Sequence, residues 1–229
     1  MIFLYTAVSL VGAYLLGSIP FGMLIVQRVR GRDIRKWYSG RTGGTNVGRV
    51  AGFRAGFATA VLDVLKAMGA VWFARWLTGG IPLVEVASGL AAILGHNYSV
   101  FMIRREEGKL RVHGGAGGAA SLGAASGLWP PALLIILPMI PLIYFGVGYA
   151  SVTTMSIAFL SGVVFLVRAL IGVGPWTYVL YGLLAEAIVM WALRPNIARL
   201  VRGEERLVGW RAKRKIRQSA GTKADESQS

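Results

Sequence analysis

The stretch "HGGAGGAASLGAASGLWPP", residues 113 to 131, decides the fold of this chain. Its apolar part, 115–128, is short and rich in Gly, Ala and Ser, whereas a helical membrane span takes about 20 apolar residues. Small residues let helices approach closely, so the stretch suits a helix buried among neighbours. Counted as a span, it brings the total to seven. Merged with the apolar segment after "WPP", it leaves six, and both chain ends then fall on one side.

The surrounding sequence favours seven. Apolar segments also lie at 2–27, 53–78, 82–103, 131–148, 150–171 and 175–193. Gly and Pro clusters at 78–82, 129–131, 146–149 and 172–175 mark turns between them. Lys and Arg number eight in 28–54, four in 104–113 and ten from Arg194 onward, against Arg75 and Arg168 on the alternate side. Basic loops stay in the cytoplasm, so the N-terminus is expected outside and the C-terminus inside. The expected fold is therefore an all-α integral membrane protein. It has seven transmembrane helices and cytoplasmic glycine-rich loops. The membrane domain covers 1–205, and 206–229 is a basic, disordered tail near anionic lipid.

Composition agrees. Of 229 residues 55% are hydrophobic and 15% charged, and mean hydropathy is +0.57, values of a membrane protein. The net charge of +15 sits in blocks between apolar runs, which argues for topology and against nucleic-acid binding. With no cysteine there is neither a disulfide nor thiolate chemistry. The N-terminus lacks a basic region and a small-residue cleavage site, so 2–27 reads as a retained span.

Four polar stretches share the expected cytoplasmic rim. "SGRTGGTNVGR", 39–49, offers glycine backbone N–H groups with hydroxyl, amide and guanidinium donors, a set that suits phosphate. It lacks the order of a Walker A loop, and a solvated loop with topology arginines explains it equally well. "GHNYSVF", 95–101, holds His96, Asn97 and Ser99, and by itself reads as a capping cluster. "HGGAGGAASLG", 113–123, reads either as an anion site at a helix N-terminus or as tight packing. "RPNIARLVRGEE", 194–205, places Asn196, Arg199 and Arg202 on one face of a short interfacial helix. Within the spans, Asp63 and Lys66 lie three apart and are expected to pair, while Glu186 has no obvious partner. The residues alone leave open an enzyme, a lipid- or partner-binding protein and a small organic-anion transporter. A transporter needs polar groups at both faces, and here they crowd one rim.

In order along the chain, these stretches resemble the bacterial membrane glycerol-3-phosphate acyltransferases that use acyl phosphate. "YLLGSIPFGMLI", "SGRTGGTNVGR", "LDVLK", "LGHNYSVF", "GGAGGAAS", "GYASVTT" and "NIARLVRGEE" are similar to that family's motifs. The resemblance implies acyl transfer from acyl phosphate to the 1-hydroxyl of glycerol 3-phosphate, in the bacterial inner membrane with a cytoplasmic active site. The products are lysophosphatidic acid and phosphate, and neither metal nor cofactor is implied. It also implies catalytic roles for Ser39, Arg49 and Asn196. Substrate contacts fall to Arg41, Gly43, Thr45, Asn46, Lys66, His96, Asn97, Ser99, Gly114, Gly115, Gly117 and Ser151. The chain departs from the pattern at four residues and in one spacing. Ala116 stands where the family has lysine and Leu193 where it has histidine. Arg41 replaces the asparagine of the first loop and Tyr38 a small residue. Twelve residues separate Phe101 from Gly114, about eight more than the motif spacing. Arg41, Lys109, Arg111 and His113 are the candidates to replace the missing lysine.

Overall fold

The computed structural model of the chain describes residues 1–106, 108–212 and 214. Each expected apolar segment carries helix. The first is broken in two, α1 (Ile2–Ser18) and α2 (Phe21–Arg30). Pro20 separates them because it has no N–H to continue the ladder. The Ile19 carbonyl accepts instead from the Phe21 N–H and from Lys66 Nζ at 2.8 Å. Then come α3 (Gly44–Ala51), α4 (Phe53–Thr78) and α5 (Pro82–Asn97). The glycine-rich stretch forms α6 (Gly118–Leu128). The segment expected as one span at 131–148 is two short helices, α7 (Ala132–Ile136) and α8 (Met139–Gly146), parted at Pro138. The chain closes with α9 (Ala150–Leu170) and α10 (Trp176–Val201).

Among the described residues four helical stretches are long and apolar enough to cross a membrane: Ile2–Arg30, Phe53–Thr78, Ala150–Leu170 and Trp176–Val201. The helices α5, α6 and α7–α8 are shorter. Two expectations are corrected. The last helix does not stop at 193 before a separate interfacial helix. It runs through Pro195 to Val201, so Asn196 and Arg199 belong to α10. The fold is also not purely helical, because β1 (Ile103–Glu106) and β2 (Lys109–Val112) pair as an antiparallel hairpin. Its turn contains Gly108 at φ +78°, backbone that glycine adopts without steric penalty. The alternation of Leu110, Arg111 and Val112 was the signal for the second strand, and the first carries none.

Helix α6 is the hub. It packs on α4, α5 and α9, and ten of its eleven residues are buried. The small residues permit this: a Cβ on Gly123 would lie 2.1 Å from the Val64 carbonyl of α4. Helices α9 and α10 cross just as closely, a Cβ on Gly182 falling 2.2 Å from Gly162 Cα. Such approach brings many backbone atoms into dispersion contact, which drives association where lipid removes the hydrophobic force.

One end of the bundle is clasped by charge. Arg75, near the end of α4, donates to Glu85 of α5 at 2.7 and 2.9 Å and to the Leu128 carbonyl of α6. Tyr178 of α10 donates to the same carboxylate at 2.6 Å. The ends opposite this clasp are Asn97 of α5, the start of α6 and Asn196 of α10. The basic tail expected to be disordered from 206 is packed structure as far as Arg211. Val208 N–H donates to the Gly148 carbonyl, Trp210 stacks on Phe145, and Arg211 donates to the Val147 carbonyl. Burying Val208 and stacking the Trp210 ring on Phe145 offset the ordering entropy. Beyond Arg214 the tail lies outside the described residues.

Candidate active site

At the end opposite the clasp, a cavity of about 320 Å³ is lined by all four polar stretches: Arg35, Ser39, Gly40 and Arg41, then Asn97 and Tyr98, then Val112 to Gly115, then Ala192, Arg194 and Pro195. Thr42 N–H donates to the Gly114 carbonyl at 3.1 Å, and Gly115 N–H to that of His96 at 2.8 Å. These bonds stitch the first loop, the glycine stretch and the end of α5 together. Asn46 completes the loop by donating to the carbonyls of Trp37 and Arg41. Directly before Ser39, Tyr38 sits at φ +51°. This left-handed backbone is rare for an aromatic residue and is a form of strain that clusters at functional sites.

Arg41 is the centre of the cavity. Its Nη1 donates to the Gly115 carbonyl at 2.9 Å, and its Nη2 to the Ala192 carbonyl at 2.6 Å and toward Asn196 Oδ1 at 3.5 Å. Pro195 has no N–H for the Trp191 carbonyl, which accepts from Arg194 instead. Burial pulls the Arg41 pKa down, and among the described residues no carboxylate pairs with it. A guanidinium has five N–H donors, so donors remain for an anion. Asn97 adds a second unmet demand: both amide atoms are buried without a partner. A buried polar group left unsatisfied costs about 1–3 kcal/mol, and such a group persists where a ligand completes it. Gly117, at φ +95°, caps α6 beneath that amide; a Cβ there would lie 3.1 Å from Asn97 Oδ1.

The remaining expected residues fall around this cavity. Asn196 meets it through Arg41. Its Nδ2 donates to Glu205 Oε1 at 2.9 Å, and Arg199 and Ser151 bind the same carboxylate at 3.0 and 3.3 Å. His96 is behind the wall, where a Cβ on Gly115 would lie 1.9 Å from its Nε2. Its Nδ1 is 3.5 Å from Asp63 Oδ1, to which Lys66 Nζ is paired at 2.7 Å. Lys66 thus does not line the cavity. Nor does Ser99, whose hydroxyl donates to the Ser18 carbonyl at 2.5 Å. Gly43, Thr45 and Arg49 lie on or before α3, outside the lining. Arg49 is half-buried, and Thr45 one turn before it is exposed.

Sequence reasoning missed Arg35, Tyr98, Arg194 and Glu205. Arg35 is held by Asp33 through two bonds of 2.7 and 2.8 Å, and this guanidinium pulls the Asp33 pKa down to about 2. The adjacent placement of Asp33 and Arg35 was legible, but nothing in it pointed to a cavity 60 residues further along. Among the described residues no group of three or more His, Cys, Asp or Glu is arranged to hold a metal ion.

The family model for glycerol-3-phosphate acyltransferase matches residues 7–203. The chain belongs to the glycerol-3-phosphate acyltransferase family. Similar curated acyltransferases include that of Anaeromyxobacter sp. (strain Fw109-5), 37% identical, the match covering 87% of this chain and 94% of that one. Another is that of Rubrobacter xylanophilus, 38% identical over 87% and 93%. Among solved structures, the glycerol 3-phosphate form of PlsY, an integral membrane glycerol 3-phosphate acyltransferase, superposes with TM-score 0.74 at 31% identity, covering 89% of this chain and 96% of that one. Its lysophosphatidic acid form gives the same TM-score. This chain is thus an integral membrane acyltransferase whose Arg41 grips the carbonyls beside two of the motif departures, Gly115 next to Ala116 and Ala192 next to Leu193.

Glu205 holds three of the acyltransferase's polar side chains in place. Replacing it by alanine is expected to lower kcat/KM about 10- to 100-fold, the value of one to two charge-assisted bonds. Glu205→Gln, which still accepts from Asn196, is expected to lose less. Steady-state kinetics of both variants checks this ordering.

Proposed function

We propose that the chain transfers a fatty acyl group from acyl phosphate to the 1-hydroxyl of glycerol 3-phosphate, giving lysophosphatidic acid and phosphate. The observation that carries this reading is the meeting of two cavities at Tyr98. One is the polar cavity around Arg41. The other is an apolar groove of about 360 Å³ between α5 and α10, lined by Leu90, Leu94, Tyr98, Leu184, Ala187, Ile188 and Trp191. A donor with a phosphate head and a hydrocarbon tail needs that pairing.

In the proposed reaction the acceptor hydroxyl oxygen attacks the acyl carbon. A tetrahedral oxyanion forms, and the bond from acyl carbon to phosphate oxygen breaks. The phosphate leaves with the electron pair and takes up the hydroxyl proton. The donor is already activated, so positioning and charge stabilisation supply the catalysis. Arg41, Ser39 and Asn97 hold phosphate oxygens, Asn196 steadies the acceptor, and Arg49 with Thr45 draws anions to the mouth. No covalent enzyme intermediate, metal or cofactor is invoked.

We place the site on the cytoplasmic side of the bacterial inner membrane, with the seven helical segments as spans and the N-terminus outside. The basic loops support this orientation. The clasp of Arg75, Glu85 and Tyr178 closes the opposite rim, which supports transfer at one surface over transport across it.

The test is acyl transfer by purified protein in lipid, with acyl phosphate and labelled glycerol 3-phosphate. Lysophosphatidate and phosphate should appear together, and Ser39→Ala should reduce both at least about tenfold, one lost charge-assisted hydrogen bond. Absence of turnover in folded wild-type protein, or full activity in Ser39→Ala, contradicts the reading.

A further inference from the structure

The hairpin Ile103–Val112 accounts for the extra length between Phe101 and Gly114, and acyl transfer as drawn above uses none of its strand side chains. Its register pairs Ile103 with Val112, Arg104 with Arg111, Arg105 with Leu110 and Glu106 with Lys109. Side chains alternate between the faces of a strand. One face therefore carries Ile103, Val112 and Leu110 with Arg105, and the other carries Arg104, Arg111, Glu106 and Lys109.

The two faces are treated differently. The charged face is tied down: Arg104 is 3.6 Å from Asp33, and Glu106 pairs with His113 at 3.1 Å and Arg111 at 3.8 Å. The apolar face is left largely uncovered. Leu110 is 75% exposed, and Ile103 and Val112 are each 45% exposed. Along the chain this face continues an apolar flank from the membrane helix α5, through exposed Leu94, Val100 and Phe101. Four basic residues against two acidic ones between 103 and 112 give the hairpin a net positive charge.

We propose that this hairpin docks on the bilayer surface, with Leu110, Ile103 and Val112 in the headgroup layer and Arg105 against anionic lipid headgroups. Three features select the bilayer as the occupant: the hairpin begins six residues past α5, its exposed apolar flank is continuous with a lipid-facing helix, and its charge complements an anionic leaflet. Apolar side chains gain from leaving water at that depth, and basic residues gain from the surface potential. Val112 and His113 also line the active-site cavity. The docked hairpin thereby fixes the cavity mouth at the surface where lipid-borne molecules enter and leave. The inference rests on the membrane reading of the chain and is independent of acyl transfer.

The sequence has no cysteine, so Leu110→Cys in the full-length protein takes one environment-sensitive fluorophore cleanly. The protein is reconstituted in phosphatidylcholine vesicles with and without phosphatidylglycerol. Quenching by lipid brominated near the headgroup is compared with quenching by aqueous iodide. Lys109→Cys, the next position along β2 on the opposite face, carries the same label and controls for the fluorophore's own affinity for lipid. The expected result is lipid quenching at 110 and iodide quenching at 109. Adding Arg105→Glu should weaken docking in phosphatidylglycerol-containing vesicles about fivefold or more, one basic residue's share of the surface attraction. Equal quenching at both positions overturns the proposal. So does a probe at 110 that stays in water in both bilayers, including one that moves only when a soluble acidic protein is added.

Discussion

Replacing Arg41 with alanine is expected to lower kcat/KM for acyl transfer about 10²- to 10³-fold, the effect of removing one donor that faces developing charge. Arg41, like Arg194, is a cation of the cavity lining without a carboxylate partner among the described residues, but Arg194 is exposed and Arg41 is not. Its two guanidinium nitrogens reach carbonyls 74 and 151 residues away. Its removal deprives a bound phosphate of its counter-charge and releases the first loop from α6 and α10. Arg41→Lys should recover only part of the loss, because an ammonium is a point charge and does not reproduce the planar fork. In the Arg41→Ala background, Ala116→Lys is expected to restore activity, since residue 116 adjoins the carbonyl that Arg41 grips. Wild-type kcat/KM in an Arg41→Ala protein with an unchanged unfolding temperature would exclude this role.

Replacing Asp63 with alanine is expected to destabilise the protein by about 3–5 kcal/mol, the penalty for stranding one member of a buried ion pair. Asp63 is 1% exposed and Lys66 7%. With the carboxylate gone, the ammonium keeps the Ile19 carbonyl at 2.8 Å and the Phe21 ring, 5.7 Å from Nζ, neither of which cancels a charge. The double variant Asp63→Ala with Lys66→Met removes both charges and should recover most of the loss. Activity should not return with it. Asp63 also orients His96, whose ring lies against Gly115 at the cavity wall. Thermal unfolding in detergent, read beside turnover, separates these effects. Equal unfolding temperatures for the single and double variants would show that the pair is not the source of the stability.

Much of the site was legible because of where charge and glycine lie along the chain. Four polar stretches alternate with apolar segments, and that order brings them to one rim whatever the packing in between. The breaks at Pro20 and Pro138 were legible in principle from the missing N–H, yet apolar length outweighed them. The hairpin was hidden by its arginines, which read as topology charges, although the alternation of Leu110 and Val112 with Lys109 and Arg111 was present.

Arg41 and Lys66 mark the boundary between the two kinds of knowledge. Both stand in motif-like stretches and both were expected to touch substrate. Only packing distinguishes them: Lys66 is turned into the bundle against Asp63, and Arg41 into the cavity against α6 and α10. Glu205 likewise becomes the holder of Ser151, Asn196 and Arg199 only when the chain turns back after Val201. Hydropathy and charge act locally and additively along a chain, so the sequence by itself determined the membrane class, the apolar segments and the shared polar rim. The partners of a buried charge depend on contacts between residues distant in sequence. Those were decided by the tertiary structure alone.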